Sequence, residues 1–398
     1  MPTMVTGQTT FDHPSNYIKI DVFDRIATYD PEATPLLALL TKLNKQRCHD
    51  TVVRWFEDEL VPRWGLTSAT TQAVTASGTI DMAAAADASV FDTGGGAGTL
   101  GYNPATGEQF LVTTTSSAQL TASRGWGDVS TSATITVNSS LLCLGRLGVE
   151  FALSVTPRLT QPAAKTNVTQ IFKDPITFSG SEMETDKWVT NDREYKLKKL
   201  GRDHAVNIER SLWLASKKTA SDNSSVRTMD GIIRLVTTNV TSLTQALTQD
   251  DLDSTLTMMA RHTQGQNRNV FFFGSGKFVQ AVNKFARSTL QVTPARDSEF
   301  GFRYVTYIGP HFDVKLVSHW LFENSGLTTV NYALERMAFA INLDFVMYRP
   351  LGKRDTVLRM NVQENDRDGE KHEYLTEATL QFMLQKAHAK ITSSANFI

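Results

Sequence analysis

Between Thr190 and Lys217 the chain reads TNDREYKLKKLGRDHAVNIERSLWLASK, and Leu197, Leu200, His204, Ile208, Leu212 and Ala215 recur every three to four residues. That spacing predicts one amphipathic helix. Thr190 is placed to cap it, and Asp192 and Glu194 fall in its electropositive first turn. Asp192 with Lys196, and Glu194 with Lys198, are acid-before-base pairs at i,i+4, each worth ~0.2–0.5 kcal/mol. At ~1.5 Å per residue the segment would run about 40 Å. Gly201 in its middle costs ~1 kcal/mol against Ala, which predicts a bend or a close crossing there. A long helix with one apolar face has to be laid on something.

The C-terminal half offers the sheet. LTQDDLDSTLTMMARHTQGQ predicts a helix starting near an acidic cap, NVFFFGSGKFVQAVNKFA a strand, turn and helix, and RYVTYIG and FDVKLVSHW two strands. In RMAFAINLDFVMYRP the residues Met337, Phe339, Ile341, Leu343, Phe345 and Met347 alternate, which predicts a single long strand. A turn at Pro350 and Gly352 leads to the alternating Thr356, Leu358, Met360 and Val362, and EATLQFMLQKAHAKI predicts a final strand. No repeat of fixed period occurs.

From Trp64 to Lys165 only ten of 102 residues are charged, half the chain's 20%. Thr, Ser, Ala and Gly dominate, and QFLVTTT, AQLTASRGWGD, ATITVN and SLLCLGRLG predict strands separated by turns near Gly94–Gly98 and Gly125–Gly127. This is a compact β-rich insertion. TVVRWFEDEL precedes it as a strand with Val53 and Trp55 on one side, and TNVTQIFKDPITFSGS follows it as a strand pair. The first 47 residues read as an arm. A short helical face lies at Tyr17–Ile26, and Pro31 and Pro35 frame a turn before the leucines that follow.

Charge narrows the function. Lys+Arg number 40 and Asp+Glu 41, for a net charge of -1. A dedicated nucleic-acid binder carries a basic excess, although a protein that merely encloses nucleic acid need not. The interleaved acids make KLKKLGR a solvated or interface face. The opening residues lack the basic-then-apolar pattern of a secretion signal, and no apolar run approaches the ~20 residues needed to span a bilayer. Cys48 and Cys143 read as free thiols.

Catalytic motifs fail on inspection. FFFGSGKF places Gly274, Ser275, Gly276 and Lys277 between a strand and a helix. A phosphate-binding loop needs Gly where Phe271 stands and Ser or Thr where Phe278 stands, so a tight turn into a helix is expected. The eight histidines, at 13, 49, 204, 262, 311, 319, 372 and 388, are scattered and none has metal-ligand spacing. His204 reads as a core-edge or interface residue. There is no GxSxG elbow and no CxxC. No catalytic, cofactor-binding or metal residue is assigned, and no cofactor is expected.

The order of elements resembles the major capsid proteins of tailed bacteriophages, with the Hong Kong 97-type shell fold, in a branch with a β-rich insertion. DPEATPLL (Asp30–Leu37) is similar to the family's Thr-Pro near the arm's end, and VRWFEDEL (Val53–Leu60) to its Trp-x-x-Asp strand. GEQFLV with QLTASRGWGD (Gly107–Asp128) resembles its turn-rich insert. NVTQIFKDPITFSGS (Asn167–Ser181), MDGIIRLV (Met229–Val236) and the closing EATLQFMLQKAHAKI match, in that order, the strand before the helix, the turn after it and the last strand.

The resemblance implies an α+β fold. Its parts are an N-terminal arm at 1–47, extended-loop strands at 48–66 and 166–187, and the inserted β-rich domain at 67–165. A peripheral domain at 188–236 and 337–398 carries the long helix as its spine, and an axial domain occupies 237–336. It implies a non-enzymatic subunit that self-assembles into pentamers and hexamers and encloses double-stranded DNA without sequence-specific binding. Portal, scaffolding and decoration proteins are the implied partners, and the virion, assembled in the host cytoplasm, the implied location. A separate scaffolding protein is expected, since fold-like sequence begins near Tyr17. An encapsulin-type nanocompartment shell, or a tail or baseplate protein, is the alternative.

Overall fold

The computed structural model describes residues 34–68, 77–127, 134–150, 156–186, 192–220, 225–263, 270–289, 305–323, 333–394 and 397. The helical face expected at Tyr17–Ile26 and the Thr190 cap lie outside them. The chain divides into two compact units. One comprises Met1–Trp55 with Thr166–Ile398, the other Phe56–Lys165.

In chain order the first unit contributes α1 (Pro35–Leu43) and most of β1 (Val52–Glu57) before the insertion begins. The inserted unit contains β2 (Trp64–Leu66), β3 (Ser77–Asp81), α2 (Ala85–Ser89), β4 (Gly98–Tyr102), β5 (Gln109–Ser116), β6 (Gln119–Arg124) and β7 (Ser140–Leu147). They form one sheet in the order β2-β7-β4-β5-β6-β3, and a bridge between Thr67 and Met82 joins its outer strands, so the sheet closes on itself. Closure removes the free edges along which strands otherwise aggregate. Phe91, Phe110, Leu120, Ile135 and Leu141 fill the interior. Gly101 stands opposite Phe110 in the β4–β5 ladder, and a Cβ there would lie 2.3 Å from the Phe110 ring. Among the described residues of ATITVN, 134–138, the expected strand does not form: Ile135 is buried in the core, and Asn138 takes the left-handed conformation (φ 51°) of a turn.

The chain returns through β8 (Ala163–Val168), which pairs with β1. It continues into β9 (Gln170–Phe178), α3 (Gly180–Glu184) and α4 (Asp192–Leu214). The 23 residues of α4 give a length of about 34 Å. Both predicted surface pairs are present, Lys196–Asp192 at 2.9 Å and Lys198–Glu194 at 2.6 Å. After it come α5 (Ile232–Leu235), β10 (Val240–Leu243), α6 (Gln249–Thr263), β11 (Val270–Gly274), α7 (Gly276–Thr289), β12 (Val305–Ile308) and β13 (Asp313–Ser318). Thr248 and Asp251 start α6 with reciprocal hydrogen bonds, each side chain accepting the other's backbone N–H. The last strands are β14 (Met337–Asn342), β15 (Val346–Pro350), β16 (Val357–Arg359), β17 (Glu370–Phe382) and β18 (Ala389–Ser393).

Two sheets organise this unit. The larger runs β10-β18-β14-β11-β13-β12. Its central strands are buried on both faces. Val270, Phe272, Ala338 and Ala340 pack toward α6 and α7, while Phe271, Phe273, Phe339 and Ile341 pack with α1, the C-terminal half of α4 and α5. In the second sheet the 13-residue β17 pairs with β9 on one edge and with β15 and β16 on the other.

Three expectations change. The alternating run at 337–347 is not one strand, because Asn342 accepts a hydrogen bond from the Asp344 N–H and starts a 3-10 turn, so β14 and β15 join different sheets. The closing segment breaks likewise at Leu384 (φ 50°) into β17 and β18. β8 and β9 do not pair with each other: β9, expected in the extended loop, lies beside β17. That pairing of β9 with β17 crosses the boundary expected at 187, and the sheet in which β14 and β18 join β11 and β13 crosses the one expected at 336.

Candidate functional site

Beneath α4 runs a seam of buried polar side chains. His204, fully buried, places Nδ1 2.5 Å from Asp174 Oδ2 on β9 and Nε2 2.7 Å from Thr376 Oγ1 on β17. Its ring stacks on Tyr374 at 5.8 Å, and Asn207 donates to Asp174 from the next turn. His204 is therefore a wholly buried crosslink between helix and sheet, not a core-edge residue. At the helix start, Arg193 contacts both Glu370 and His372, and Lys196 reaches Glu182 at 2.7 Å.

Two carboxylates are buried deeper. Glu377 on β17 accepts from Thr169 Oγ1 at 3.0 Å and pairs with Arg227 and, at 2.7 Å, Arg354. Glu209 accepts from His319 Nε2 at 2.7 Å and from the backbone N–H groups of Leu36 and Leu37. Burying a carboxylate is costly unless such partners are supplied. Neither group belongs to a sequence motif. A signal existed for Glu209, an acid between Ile208 and Leu212 on the apolar stripe of a helix.

Asp174, His204 and Thr376 have the acid–imidazole–hydroxyl order of a nucleophilic triad. His204 and Thr376 are fully buried, and Thr376 Oγ1 donates on to Thr356 Oγ1 at 3.1 Å. The arrangement ties helix to sheet. Among the described residues no group of three or more His, Cys, Asp or Glu side chains could hold a metal ion. The Gly274–Lys277 segment is the tight turn expected: Ser275 Oγ accepts from the Phe278 N–H and donates to the Glu335 carbonyl, and Lys277 pairs with Glu335 at 2.8 Å. Cys48 and Cys143 are free thiols, and burial pushes the pKa of each up. No helix among the described residues is long and apolar enough to cross a membrane.

In the inserted unit, a cleft of about 410 Å³ is lined by Ala85, Ser89, Asp92, Thr115, Ser117 and Arg158. Its charged groups are already engaged: Asp92 pairs with Arg146, and Arg158 donates to the Val90 carbonyl.

The surface is less self-contained. Phe56 is 74% exposed, Leu60 78% and Leu159 88%. Thr160 Oγ1 donates to Asp58 Oδ1 at 3.0 Å and to the Glu59 carbonyl, which holds the segments bearing Leu60 and Leu159 side by side. In the other unit Ile308 and Met360 are likewise exposed, the first on the edge strand β12. Clustered exposed apolar side chains mark interaction surfaces more often than accidents of folding.

The profile of a family described as SU10 major capsid protein matches residues 4–395. No curated protein matches the sequence. Among solved structures, the chain is similar to the capsid of a native GTA particle, at 9% identity, covering 98% of this chain and 100% of that one with a TM-score of 0.50. It is also similar to the capsid of cyanophage A-1(L), at 10% identity over 95% and 98% of the two chains, TM-score 0.49. The holo-SrpI encapsulin complex of Synechococcus elongatus PCC 7942 matches at 13% identity over 58% and 77%, TM-score 0.44.

Proposed function

Because the chain belongs to the SU10 major capsid protein family, we propose that its copies close into pentamers and hexamers of an icosahedral head that encloses double-stranded phage DNA. It is a structural subunit with the Hong Kong 97-like fold, and copies of it make up the virion shell. The observation that carries the reading is the extent of the family match, which runs through arm, insertion and both sheets.

Within that shell, the long helix α4 serves as the spine of the peripheral domain, over the sheet built on β17. The sheet from β10 to β12, with α6 and α7, forms the axial domain. The arm lies across a neighbouring copy, and the segments bearing Phe56, Leu60 and Leu159 overlap another, a role that the exposure of those three side chains supports. A near-neutral chain suits a wall that encloses DNA without reading its sequence. Portal, scaffolding and decoration proteins complete the head, and assembly takes place in the host cytoplasm.

Sedimentation and negative-stain microscopy of the expressed full chain test this reading. Pentamers, hexamers or closed shells are expected, and a monodisperse monomer under every condition would overturn it. Particles purified from the native source are expected to contain DNA, whereas protein cargo in its place would point to a nanocompartment.

A further inference from the structure

The helix α1 has no cap of its own. Thr34 stands at the N-cap position, but its side chain accepts no hydrogen bond from the first turn. At nine residues the helix is also too short to persist alone in water. Its free N–H groups are taken instead by Glu209, 172 and 173 positions along the chain. Leu37 donates to Oε2 at 2.8 Å and Leu36 to Oε1 at 3.1 Å. The positive end of the α1 dipole thereby faces a fully buried carboxylate.

The same carboxylate is held from a third side. His319, directly after β13, accepts the Leu321 N–H on Nδ1 at 3.1 Å, so its Nε2 carries the proton. That Nε2–H donates at 2.7 Å to Oε1, the oxygen also used by Leu36. The His319 N–H in turn bonds to the Gly274 carbonyl at the end of β11. Glu209 sits on the long helix, His319 on the six-stranded sheet and Leu36 on the arm. The donors converge on one buried carboxylate, so moving the helix against the sheet disturbs the seat of the arm.

We propose that Glu209 is a latch that makes docking of the arm helix conditional on the placement of the long helix against the six-stranded sheet. Leu36, Leu39 and Leu40 supply apolar adhesion, and the carboxylate supplies the condition. With His319 displaced, Glu209 loses a donor, and the helix N-terminus loses a correctly oriented acceptor. The arm is then freed without any change in its own residues.

Hydrogen–deuterium exchange on the full chain tests the latch. Glu209→Gln keeps shape but puts an amide where acceptors are required. It is expected to speed exchange of the 38–43 amides about 10- to 100-fold, the range for losing hydrogen bonds to a charged group. His319→Gln, which leaves every arm residue in place, is expected to speed the same amides about 3- to 10-fold, less than Glu209→Gln because Leu36 and Leu37 keep their carboxylate acceptor and only its orientation is loosened. Protection of β11 and β17 should hold in both. Unchanged exchange at 38–43 in either variant overturns the proposal, the His319 variant testing the coupling itself. If Glu209→Gln does not fold, Leu37→Pro removes one donor from the first turn, and it is read against Leu37→Ala, which loses the same side-chain packing against the core but keeps the N–H. Faster exchange at 38–43 then supports the latch, and unchanged exchange refutes it.

Discussion

Gly201 lies where the long helix crosses the Tyr374 ring, and a Cβ built on it would sit 3.1 Å from the phenolic oxygen and 3.2 Å from Cζ. Of the two readings that a mid-helix glycine allows, a close crossing applies here, with α4 unbroken through the position. The glycine lets a helix with an otherwise substantial side-chain layer approach the sheet at the point where His204 stacks on the same Tyr374.

Gly201→Ala is therefore expected to destabilise. The ~1 kcal/mol gained in helix propensity is outweighed by overpacking of about 1–3 kcal/mol against a ring that stacking holds in place. In a Tyr374→Leu background the same substitution should become neutral or stabilising. Urea unfolding of the four-member mutant cycle measures this, and a stabilising Gly201→Ala in the otherwise wild-type chain would refute it.

His388 gives a pH dependence. Burial pushes its pKa down to about 4 from an ordinary 6.5. Its Nδ1 accepts the Asn342 N–H while Nε2 donates to the Met383 carbonyl, which uses the neutral ring at both nitrogens. The folded-state value lies below the unfolded one, so between these pH values the unfolded chain binds a proton that the native chain does not. Stability is full above pH 6.5, falls as pH drops toward 4, and levels off below, with a contribution of about 3 kcal/mol at ~1.4 kcal/mol per pH unit. His388→Gln should flatten that part of the stability–pH curve; an unchanged slope would exclude His388 as its source.

The inserted unit contains a buried ion pair. Arg124 grips Glu108 with two bonds of 2.7 Å, and the two side chains are 3% and 1% exposed. Glu108→Ala is expected to cost about 3–5 kcal/mol by stranding a buried guanidinium, whereas Glu108→Leu with Arg124→Met should cost far less. Amide exchange localises the effect: β4, β5 and β6 should lose protection while β17 keeps it. An equally damaged double variant would show that the pair contributes more than mutual neutralisation.

Leu60→Ser with Leu159→Ser should leave thermal stability within about 0.5 kcal/mol, as for surface substitutions. Under the shell reading, the concentration at which particles form should rise at least about tenfold, equivalent to ~1.4 kcal/mol per contact. Light scattering against concentration measures it, and shell formation at the wild-type threshold would remove these residues from the interface.

Features encoded by neighbouring residues were legible from sequence. The face of α4, its two i,i+4 pairs, the turn after Gly274 and the start of α6 all depend on spacings of two to four positions. What the sequence does not display depends on distance along the chain. Nothing near Gln170–Phe178 announces that β9 pairs with β17 about 200 residues later. The period-two run from Met337 to Met347 conceals a change of sheet, because a 3-10 turn of three residues preserves the alternation while redirecting the chain. Glu209 looked like one more helix acid because its partners at Leu36 and His319 lie 173 and 110 positions away. The exposed Phe56, Leu60 and Leu159 were equally silent, since exposure is a property of the fold.

The two breaks that sequence periodicity hid lie next to each other in space. Phe345 accepts the Met383 N–H on its carbonyl, and His388 bonds to both Asn342 and Met383. The chain thus passes twice between the two sheets at one level, once between β14 and β15 and once between β17 and β18. Tension that pulls one sheet from the other cannot unzip a ladder of hydrogen bonds one rung at a time. It meets two covalent backbones in parallel, clamped by one imidazole, so the joint yields by bending before it tears.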